Sequence, residues 1–230
     1  VQQGTRRTSI EKQSESENLF AIVLSALDRV TEFKRSHLFV VSADAVESAV
    51  PSGETQNALR TAHTTARDLT PGDHDVPPFS LGGQDMYAIS PDGQEIAYTS
   101  NIDEVEATST NNEIFVVPLA GGTPRKISTS PGADTTPLYS PDGKYLAWRS
   151  QDRPGFEADK WRLLVQDRQS KNTRDLTEKF DRSLGSFAWA PTSNAICFAA
   201  EDHGEAPIYS VAIENDQPSE IARLYADDLT

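Results

Sequence analysis

Ser90-Pro91-Asp92-Gly93 is the turn motif around which this 230-residue chain is organised. It lies between two short apolar runs and recurs as Ser140-Pro141-Asp142-Gly143 and, in a degenerate form, as Ala190-Pro191-Thr192-Ser193. The three prolines are separated by 50 residues each time. A fixed period of about 40 to 50 residues that carries short strands is typical of propeller blades.

Each residue of the repeated turn has a physical role. Proline presets φ at the second position, aspartate hydrogen-bonds to nearby backbone, and glycine accepts the left-handed conformation that closes a hairpin. The third copy lacks the glycine, and we expect Asn194 to take positive φ there because asparagine tolerates this conformation. The predicted unit is therefore strand, tight turn, strand.

The strand after each turn begins with a branched, a small and an aromatic residue. The aligned triplets are Ile96-Ala97-Tyr98, Leu146-Ala147-Trp148 and Ile196-Cys197-Phe198. This order suits a sheet that is buried on both faces between neighbouring sheets, so we predict that the aromatic residues belong to the core. The single cysteine of the chain excludes an internal disulfide and is expected to be a buried thiol.

Each repeat contains a second pair of predicted strands. These pairs are 113–118 with 124–128, 161–165 with 174–177, and 207–211 with 220–224. Polar connections at 101–112 and 151–160 are predicted to join the two hairpins of a blade. The sequence thus predicts an all-β fold, a partial β-propeller of about four four-stranded blades with an incomplete ring. The predicted blades are 37–84, which is irregular, 85–130, 131–180 and 181–230.

Residues 1–36 are predicted to be a polar segment followed by a short helix. Residues 1–18 contain almost no apolar side chains. Beyond them, apolar residues share the spacing of one helical face: Leu19, Ile22, Val23, Leu27 and Val30. An export signal is disfavoured because Glu15 and Glu17 stand where positive charge is expected. The compartment, cytoplasmic or periplasmic, stays open.

The composition excludes several classes of function. The formal net charge is −14 and the isoelectric point is about 4.6, which disfavours binding to nucleic acid or to anionic lipid. The mean hydropathy is −0.52, and no run approaches the ~20 apolar residues of a membrane-spanning helix. We therefore expect a protein without nucleic-acid partners and without a membrane span.

Residues 68–224 resemble the N-terminal propeller of the prolyl oligopeptidase family of serine peptidases, in particular the acylaminoacyl peptidase and dipeptidyl peptidase type. The resemblance rests on the Ser-Pro-Asp-Gly turns, on the strands 95–100 and 144–150 that follow them, and on the strand and turn at 114–122. It implies that the chain covers a separate α/β-hydrolase domain and admits only short or unfolded peptides to it. That hydrolase domain is absent from this chain, which we expect to be noncatalytic by itself.

Two other functions compete with this interpretation. The same turn occurs in Tol-associated periplasmic propellers, which implies a noncatalytic protein-binding module. A propeller enzyme with a site in its central channel is the third possibility, but no constellation of residues in the sequence supports it. An incomplete ring leaves strand edges uncovered, so a protein partner or self-association is also expected.

The sequence was tested for the residues that a hydrolase or a metal site requires. The nucleophile motif Gly-x-Ser-x-Gly does not occur, and the nearest pairing, Gly185-Ser186, opens a predicted strand. The histidines have no metal-ligand spacing to one another: His37, His63, His74 and His203. Asp73-His74-Asp75 and the acidic residues at 103–106 are interpreted as solvated loops rather than cation sites. We therefore predict no catalytic residue, metal or cofactor in this chain.

The dipeptidyl peptidases of the resembled family carry paired glutamates on a short helix of the propeller, where they hold the free amine of the substrate. Glu15 and Glu17 lie near the predicted helix, but the surrounding aromatic pattern is missing. This role is therefore not assigned to them.

Overall fold

The chain forms four antiparallel sheets of four strands each in the computed structural model, which describes residues 10–12, 19–24, 35–42, 66–78, 86–214 and 217–222. Sheet 1 contains β1 (Ile10–Lys12), β2 (Leu19–Leu24), β3 (His37–Ser42) and β4 (Arg67–Asp68). Sheet 2 contains β5 (Tyr87–Ile89), β6 (Glu95–Asn101), β7 (Asn112–Pro118) and β8 (Arg125–Lys126). Sheet 3 contains β9 (Asp134–Tyr139), β10 (Tyr145–Ser150), β11 (Arg162–Asp167) and β12 (Thr173–Asp175). Sheet 4 contains β13 (Leu184–Trp189), β14 (Ala195–Ala200), β15 (Ile208–Ala212) and β16 (Ser219–Ala222).

Within each sheet the strands pair in chain order. The predicted all-β architecture of four-stranded units is confirmed. Only one short helix, the 3₁₀ turn Glu106–Thr108, interrupts the strands of the described residues. None of the described helical structure has the length or the apolar character needed to cross a lipid bilayer.

The predicted N-terminal helix is wrong where the structure describes it. Residues Leu19–Leu24 form a strand that pairs along its whole length with His37–Ser42 and also with Ile10–Lys12. A run of six apolar residues fits either conformation, and backbone pairing to a neighbouring strand decides between them. Sheet 1 consequently begins at Ile10, not at residue 37. Residues 25–34 and 43–65 lie outside the described residues.

The branched-small-aromatic order is explained by packing between sheets. Tyr98, Trp148 and Phe198 are 4%, 1% and 2% exposed, so the predicted core position of the aromatic residues is confirmed. Ile96 and Tyr98 pack against sheet 1, whereas Ala97 on the opposite face packs against sheet 3. Small residues at this position allow neighbouring sheets to approach closely. Cys197 has the equivalent position in sheet 4 but is only half-buried, because no further sheet of the described residues covers that face.

Side-chain hydroxyls fasten the fourth strand to the third strand in three sheets. In each case the hydroxyl follows a fourth strand and accepts a hydrogen bond from a backbone N–H of the third strand. The pairs are Thr70 with Leu38, Ser128 with Ile114 and Thr177 with Leu163, at 3.0, 2.9 and 2.8 Å. This repeated bond holds the outer strands, two of which are only two residues long.

Each of sheets 2 to 4 has a turn end and a connection end. The turn end carries the proline turns and the links between third and fourth strands. The connection end carries the segments between second and third strands, which are 102–111, 151–161 and 201–207. The Asp142 N–H donates to Ser193 Oγ at 3.0 Å at the turn end, and the Gly155 N–H donates to Thr110 Oγ1 at 3.1 Å at the connection end. Neighbouring sheets therefore point in the same direction.

The third proline turn keeps the geometry of the other two without a glycine. Ser193 has φ of 61°, close to the 67° of Gly93 and the 71° of Gly143, so the prediction of positive φ at Asn194 is wrong. Ser193 occupies the place of the glycine in the repeat, whereas Asn194 Oδ1 accepts a hydrogen bond from Thr192 at 2.5 Å. The hydrogen bond from Asp142 to Ser193 Oγ offsets part of the cost of the left-handed conformation.

Variants at Ser193 test this balance. We expect Ser193→Gly to leave the free energy of unfolding nearly unchanged, since the loss of the hydroxyl acceptor is offset by relief of about 1 kcal/mol of backbone strain. Ser193→Ala keeps the strain and loses the acceptor, so it should be less stable by about 1 kcal/mol. Urea unfolding measures the stability of both variants. Gly143→Ala is the matched control, because it introduces the same backbone strain at the equivalent position of the second turn. Equal stabilities of the Gly and Ala variants would contradict this account of the turn.

Candidate functional site

An open cleft of about 580 Å³ lies at the connection end, between sheets 2 and 3. Its walls come from the 102–111 segment of sheet 2, the link between the two sheets, and the 151–161 segment of sheet 3. The residues with side chains or backbone on the cleft include Asp103, Thr108, Asn111, Glu113, Lys126, Pro131 and Pro154. A concave site with a few polar groups is where a binding function is first sought.

Asp103 organises the first wall of the cleft. Its carboxylate accepts hydrogen bonds from Ser109 Oγ at 2.6 Å and from Asn111 Nδ2 at 3.3 Å. These bonds, that from Ser109 first, lower the pKa of the Asp103 carboxyl below its ordinary value. The carboxylate is thus committed to holding its own loop.

Glu113 is the deeply buried carboxylate of the cleft, with a side chain that is 4% exposed. The ammonium of Lys126 forms an ion pair with it, and Ser128 Oγ donates a hydrogen bond to it. Ser128 also accepts the N–H of Ile114, so the hydroxyl joins the carboxylate to the sheet. A buried carboxylate with a cationic and a hydroxyl partner is satisfied electrostatically.

Asp159 fixes the second wall. Its carboxylate accepts the backbone N–H groups of Asp152 and Arg153, each at 2.9 Å, and both guanidinium contacts of Arg153 at 2.9 and 2.7 Å. Burial acts in the opposite direction, but these hydrogen bonds hold the pKa of Asp159 far below its ordinary value. The hydrogen bond from Gly155 to Thr110 then ties this loop to the first wall. Both walls are therefore fixed by internal carboxylates.

A further carboxyl group, that of Asp134, is buried beneath the connection end of sheet 3. Asp134 is opposite Ser150, which is itself opposite Arg162, so the three residues lie side by side across β9, β10 and β11. Trp148 Nε1 donates to Asp134 Oδ1 at 2.8 Å, while Oδ2 has no hydrogen-bond partner among the described residues. Burial raises the pKa of Asp134 to about 7 and Glu113 adds to the increase, whereas the Ser150 hydroxyl, Trp148 and Arg162 act against it.

The fold does not require this buried polar group. In sheet 4 the pair Leu184 and Ala200 occupies the register that Asp134 and Ser150 occupy in sheet 3. All four residues are buried, and the aromatic neighbour in sheet 4 is Phe198. The equivalent layer of the next sheet is thus entirely apolar.

The two aspartates of the Asp73-His74-Asp75 stretch form ion pairs with the guanidinium of Arg35. Arg35 Nε contacts Asp73 Oδ1 at 2.9 Å, and its Nη1 lies 3.4 Å from Asp75 Oδ2. Glu106 joins the group at 3.6 Å from Arg35, and its other oxygen lies 2.9 Å from His74 Nδ1. The Arg35 guanidinium therefore lies among the carboxylates of a stretch that the sequence led us to interpret as a solvated loop.

The other two described histidines each pair with one aspartate. His37 Nδ1 lies 2.7 Å from Asp68, and His203 Nδ1 lies 2.6 Å from Asp202. His63 lies outside the described residues. Within the described residues, no group of three or more histidine, cysteine, aspartate or glutamate side chains is placed to hold a metal ion.

Gly185-Ser186 lies inside β13. Ser186 is exposed on this strand, and the Gly185 carbonyl accepts a hydrogen bond from Arg149 at 3.4 Å. A hydrolase nucleophile instead requires a sharp strand-to-helix turn. Glu15 and Glu17, to which no amine-binding role was assigned, lie outside the described residues.

Comparison with known proteins identifies the relatives of the chain. No family model matches it. It is 31% identical over 201 residues to dipeptidyl-peptidase 5 of Porphyromonas gingivalis, a match that covers 86% of this chain and 29% of that protein. The resemblance to dipeptidyl peptidases is confirmed. The chain spans less than a third of the length of this dipeptidyl-peptidase 5.

Solved structures support the same fold. A puromycin-hydrolyzing peptidase of Mycobacterium tuberculosis matches 95% of this chain and 29% of its own with a TM-score of 0.62 and 18% identity. TolB of Acinetobacter baumannii matches 91% of this chain and 42% of its own with a TM-score of 0.55 and 16% identity. At these identities the likeness concerns fold alone, and it agrees with the predicted partial propeller. Fold therefore does not separate peptidase from Tol-like propeller, whereas the sequence match is to a dipeptidyl-peptidase 5.

Sequence reasoning did not find Asp134, Glu113 or Asp159. A signal for Asp134 exists in the repeat, because it lies seven residues before Pro141 and Leu184 lies seven before Pro191. A polar residue at a position that is apolar in the next repeat marks a departure from the common core. Asp159 carries no such signal, since its role depends on the path of an irregular loop.

Proposed function

We propose that this chain is the propeller portion of a serine peptidase that acts on peptides, and that it limits access to a hydrolase domain without catalysing the reaction itself. The observation that carries the proposal is the 31% identity to dipeptidyl-peptidase 5 over 86% of the chain, on a fold of four consecutive four-stranded sheets. The missing Gly-x-Ser-x-Gly motif agrees with a noncatalytic role.

The described fold is suited to this role. Inter-sheet hydrogen bonds join sheet 2 to sheet 3 at the connection end and sheet 3 to sheet 4 at the turn end. Arg67 of sheet 1 donates to the carbonyls of Leu119 and Ala120 in sheet 2, and Arg174 of sheet 3 donates to the carbonyl of Ile213 in sheet 4. We expect sheets joined in this way to act as a wall that limits access by folded substrates.

Labelling with a fluorophosphonate probe tests the noncatalytic part of the proposal. We expect no covalent adduct on the isolated 230-residue chain, because the described serines lie on strands, turns and loops rather than on a nucleophile elbow. Intact-mass spectrometry measures the adduct. Stoichiometric labelling of a serine such as Ser186 would refute a noncatalytic role.

We also propose that the isolated arc associates through sheet 4, whose outermost strand pairs with no further strand of the described residues. Ile208 and Ile221 in β15 and β16 are 37% and 56% exposed, and β16 is the outermost strand of sheet 4. An uncovered strand edge next to apolar residues is suited to pairing with another copy.

A further inference from the structure

The connection end presents exposed apolar side chains beside the cleft. Five large apolar residues are exposed in the described part of the chain, and three of them lie here. These are Ile102, Val105 and Phe156, at 48%, 56% and 43% exposure. Val105 also lines the cleft, and Phe156 follows two residues that line it, Pro154 and Gly155.

These apolar side chains are held by rigid loops. The Asp103 carboxylate closes the loop that carries Ile102 and Val105, and the Asp159 carboxylate closes the loop that carries Phe156. The guanidinium of Arg153 stacks over the ring of Phe156 at 4.2 Å. A preformed surface loses little conformational entropy when a partner binds, so its exposed apolar area is available for recognition.

The same end also has an excess of negative charge. The segments 102–111 and 201–207 contain three acidic residues each and no lysine or arginine, and 151–161 contains three acidic and two basic residues. The links 127–133 and 176–183 to the next sheets are neutral overall. Among the described residues of the turn end of sheets 2 to 4, acidic and basic residues between the strands are equal in number. The charge of the two ends is therefore clearly different.

Each of the three segments leaves one glutamate free at its surface. Within the described part of the chain, Glu104, Glu157 and Glu201 are exposed, and their carboxylates form no ion pair. In contrast, the neighbouring basic side chains are engaged within the molecule. The engaged pairs include Lys126 with Glu113, Arg153 with Asp159, Arg162 with Asp152 and Arg182 with Asp202. The negative charge at this end is thus not neutralised locally.

We propose that the connection end is a docking surface for an extended segment of another polypeptide in which basic residues flank an apolar one. The apolar residue packs beside Val105 and Phe156 at the cleft, and the basic residues pair with Glu104, Glu157 and Glu201. The free carboxylates determine the charge of the segment that binds, since a negative surface attracts a cationic segment and repels an acidic one. This surface acts independently of the peptidase role proposed above.

Fluorescence anisotropy with a labelled nine-residue peptide tests the proposal. The probe has lysine at alternate positions, a central leucine and serine elsewhere; two control peptides replace the lysines by glutamate or the leucine by serine. We expect the lysine-leucine peptide to bind at low salt and to weaken as salt is added, because exposed charges are screened. The glutamate peptide should not bind, and the leucine-to-serine peptide should bind several-fold more weakly.

Variants of the chain locate the surface. The triple variant Glu104→Gln, Glu157→Gln, Glu201→Gln should bind the probe at least tenfold more weakly, and Phe156→Ser should bind it several-fold more weakly, with unchanged unfolding curves. Glu157→Gln alone should also weaken binding, and Glu214→Gln, at an exposed residue of the turn end, is its matched control and should have no effect. Absence of binding, an undiminished affinity of the triple variant, equal binding of the leucine-to-serine peptide or an equal loss from Glu214→Gln would each overturn the proposal.

Discussion

Relative to a variant with asparagine at position 134, the stability of the chain is expected to fall as the pH rises from about 4 to about 7. Asp134 is fully buried and its pKa is raised to about 7, whereas an aspartate in the unfolded chain ionises near pH 4. Between these values the folded state binds more protons than the unfolded state, so stability decreases with pH. The whole effect amounts to about 4 kcal/mol and is complete above pH 7.

Urea unfolding of the wild type and of Asp134→Asn at pH 5 and pH 8 isolates this effect. Asparagine has nearly the same shape but does not titrate, so its advantage over aspartate should be larger at pH 8 by about 2.5 kcal/mol. Carboxylates that do not interact with Asp134 contribute equally to both proteins and cancel in the difference. A pH-independent difference would show that Asp134 does not titrate in this range.

Asp142 provides a control in which the contribution of a carboxylate to stability changes with pH in the opposite direction. Partial burial opposes the shift, but hydrogen bonds from Ser140 Oγ at 2.7 Å and the Lys144 N–H at 3.1 Å lower its pKa to about 2. Its contribution is therefore present above pH 4 and is lost as the pH falls towards 2. Asp142→Asn should be less stable than the wild type at neutral pH, and the two should converge in acid.

Replacement of Trp148 by alanine is expected to lower the free energy of unfolding by about 4 kcal/mol. The side chain is 1% exposed and fills the core between sheets 2 and 3. Its truncation leaves a large cavity and also removes the hydrogen bond to Asp134 Oδ1, while Oδ2 already lacks a partner among the described residues. Denaturant unfolding measures the loss.

Two further variants separate packing from hydrogen bonding. Trp148→Phe keeps most of the buried area and removes the donor, so it should cost about 1 to 3 kcal/mol. Trp161→Ala is the matched control, because Trp161 is only half-buried and stacks on Arg149 at 4.8 Å near the surface. A smaller loss for Trp148→Ala than for Trp161→Ala would contradict the central position of Trp148 in the core.

The repeat made sheets 2 to 4 predictable. A turn motif at a fixed spacing and an alternating strand pattern indicate strands directly, and the described strands β5 to β16 agree with the predicted pairs. Sheet 1 lacks this motif, and there the helical spacing from Leu19 onwards was misleading. Its strand β2 is determined by pairing with β3, which is information that local spacing does not contain.

The candidate site was less predictable than the fold. Free and engaged carboxylates look alike in a sequence, yet Asp103 and Asp159 hold loops whereas Glu104 and Glu157 face solvent. The difference depends on which backbone N–H groups an irregular loop brings within reach. Likewise, the cation beside Asp73 is an arginine 38 residues earlier in the chain, a distance that no local motif spans.

Labelling of the full product of the gene that encodes this chain locates the reactive serine. We expect that a fluorophosphonate probe modifies one serine, that this serine maps outside residues 1–230, and that its modification abolishes hydrolysis of dipeptidyl substrates. Peptide mapping by mass spectrometry locates the modified residue. An adduct within residues 1–230, or a full gene product that neither reacts with the probe nor hydrolyses such substrates, would contradict the claim that these sheets control access to a peptidase site elsewhere.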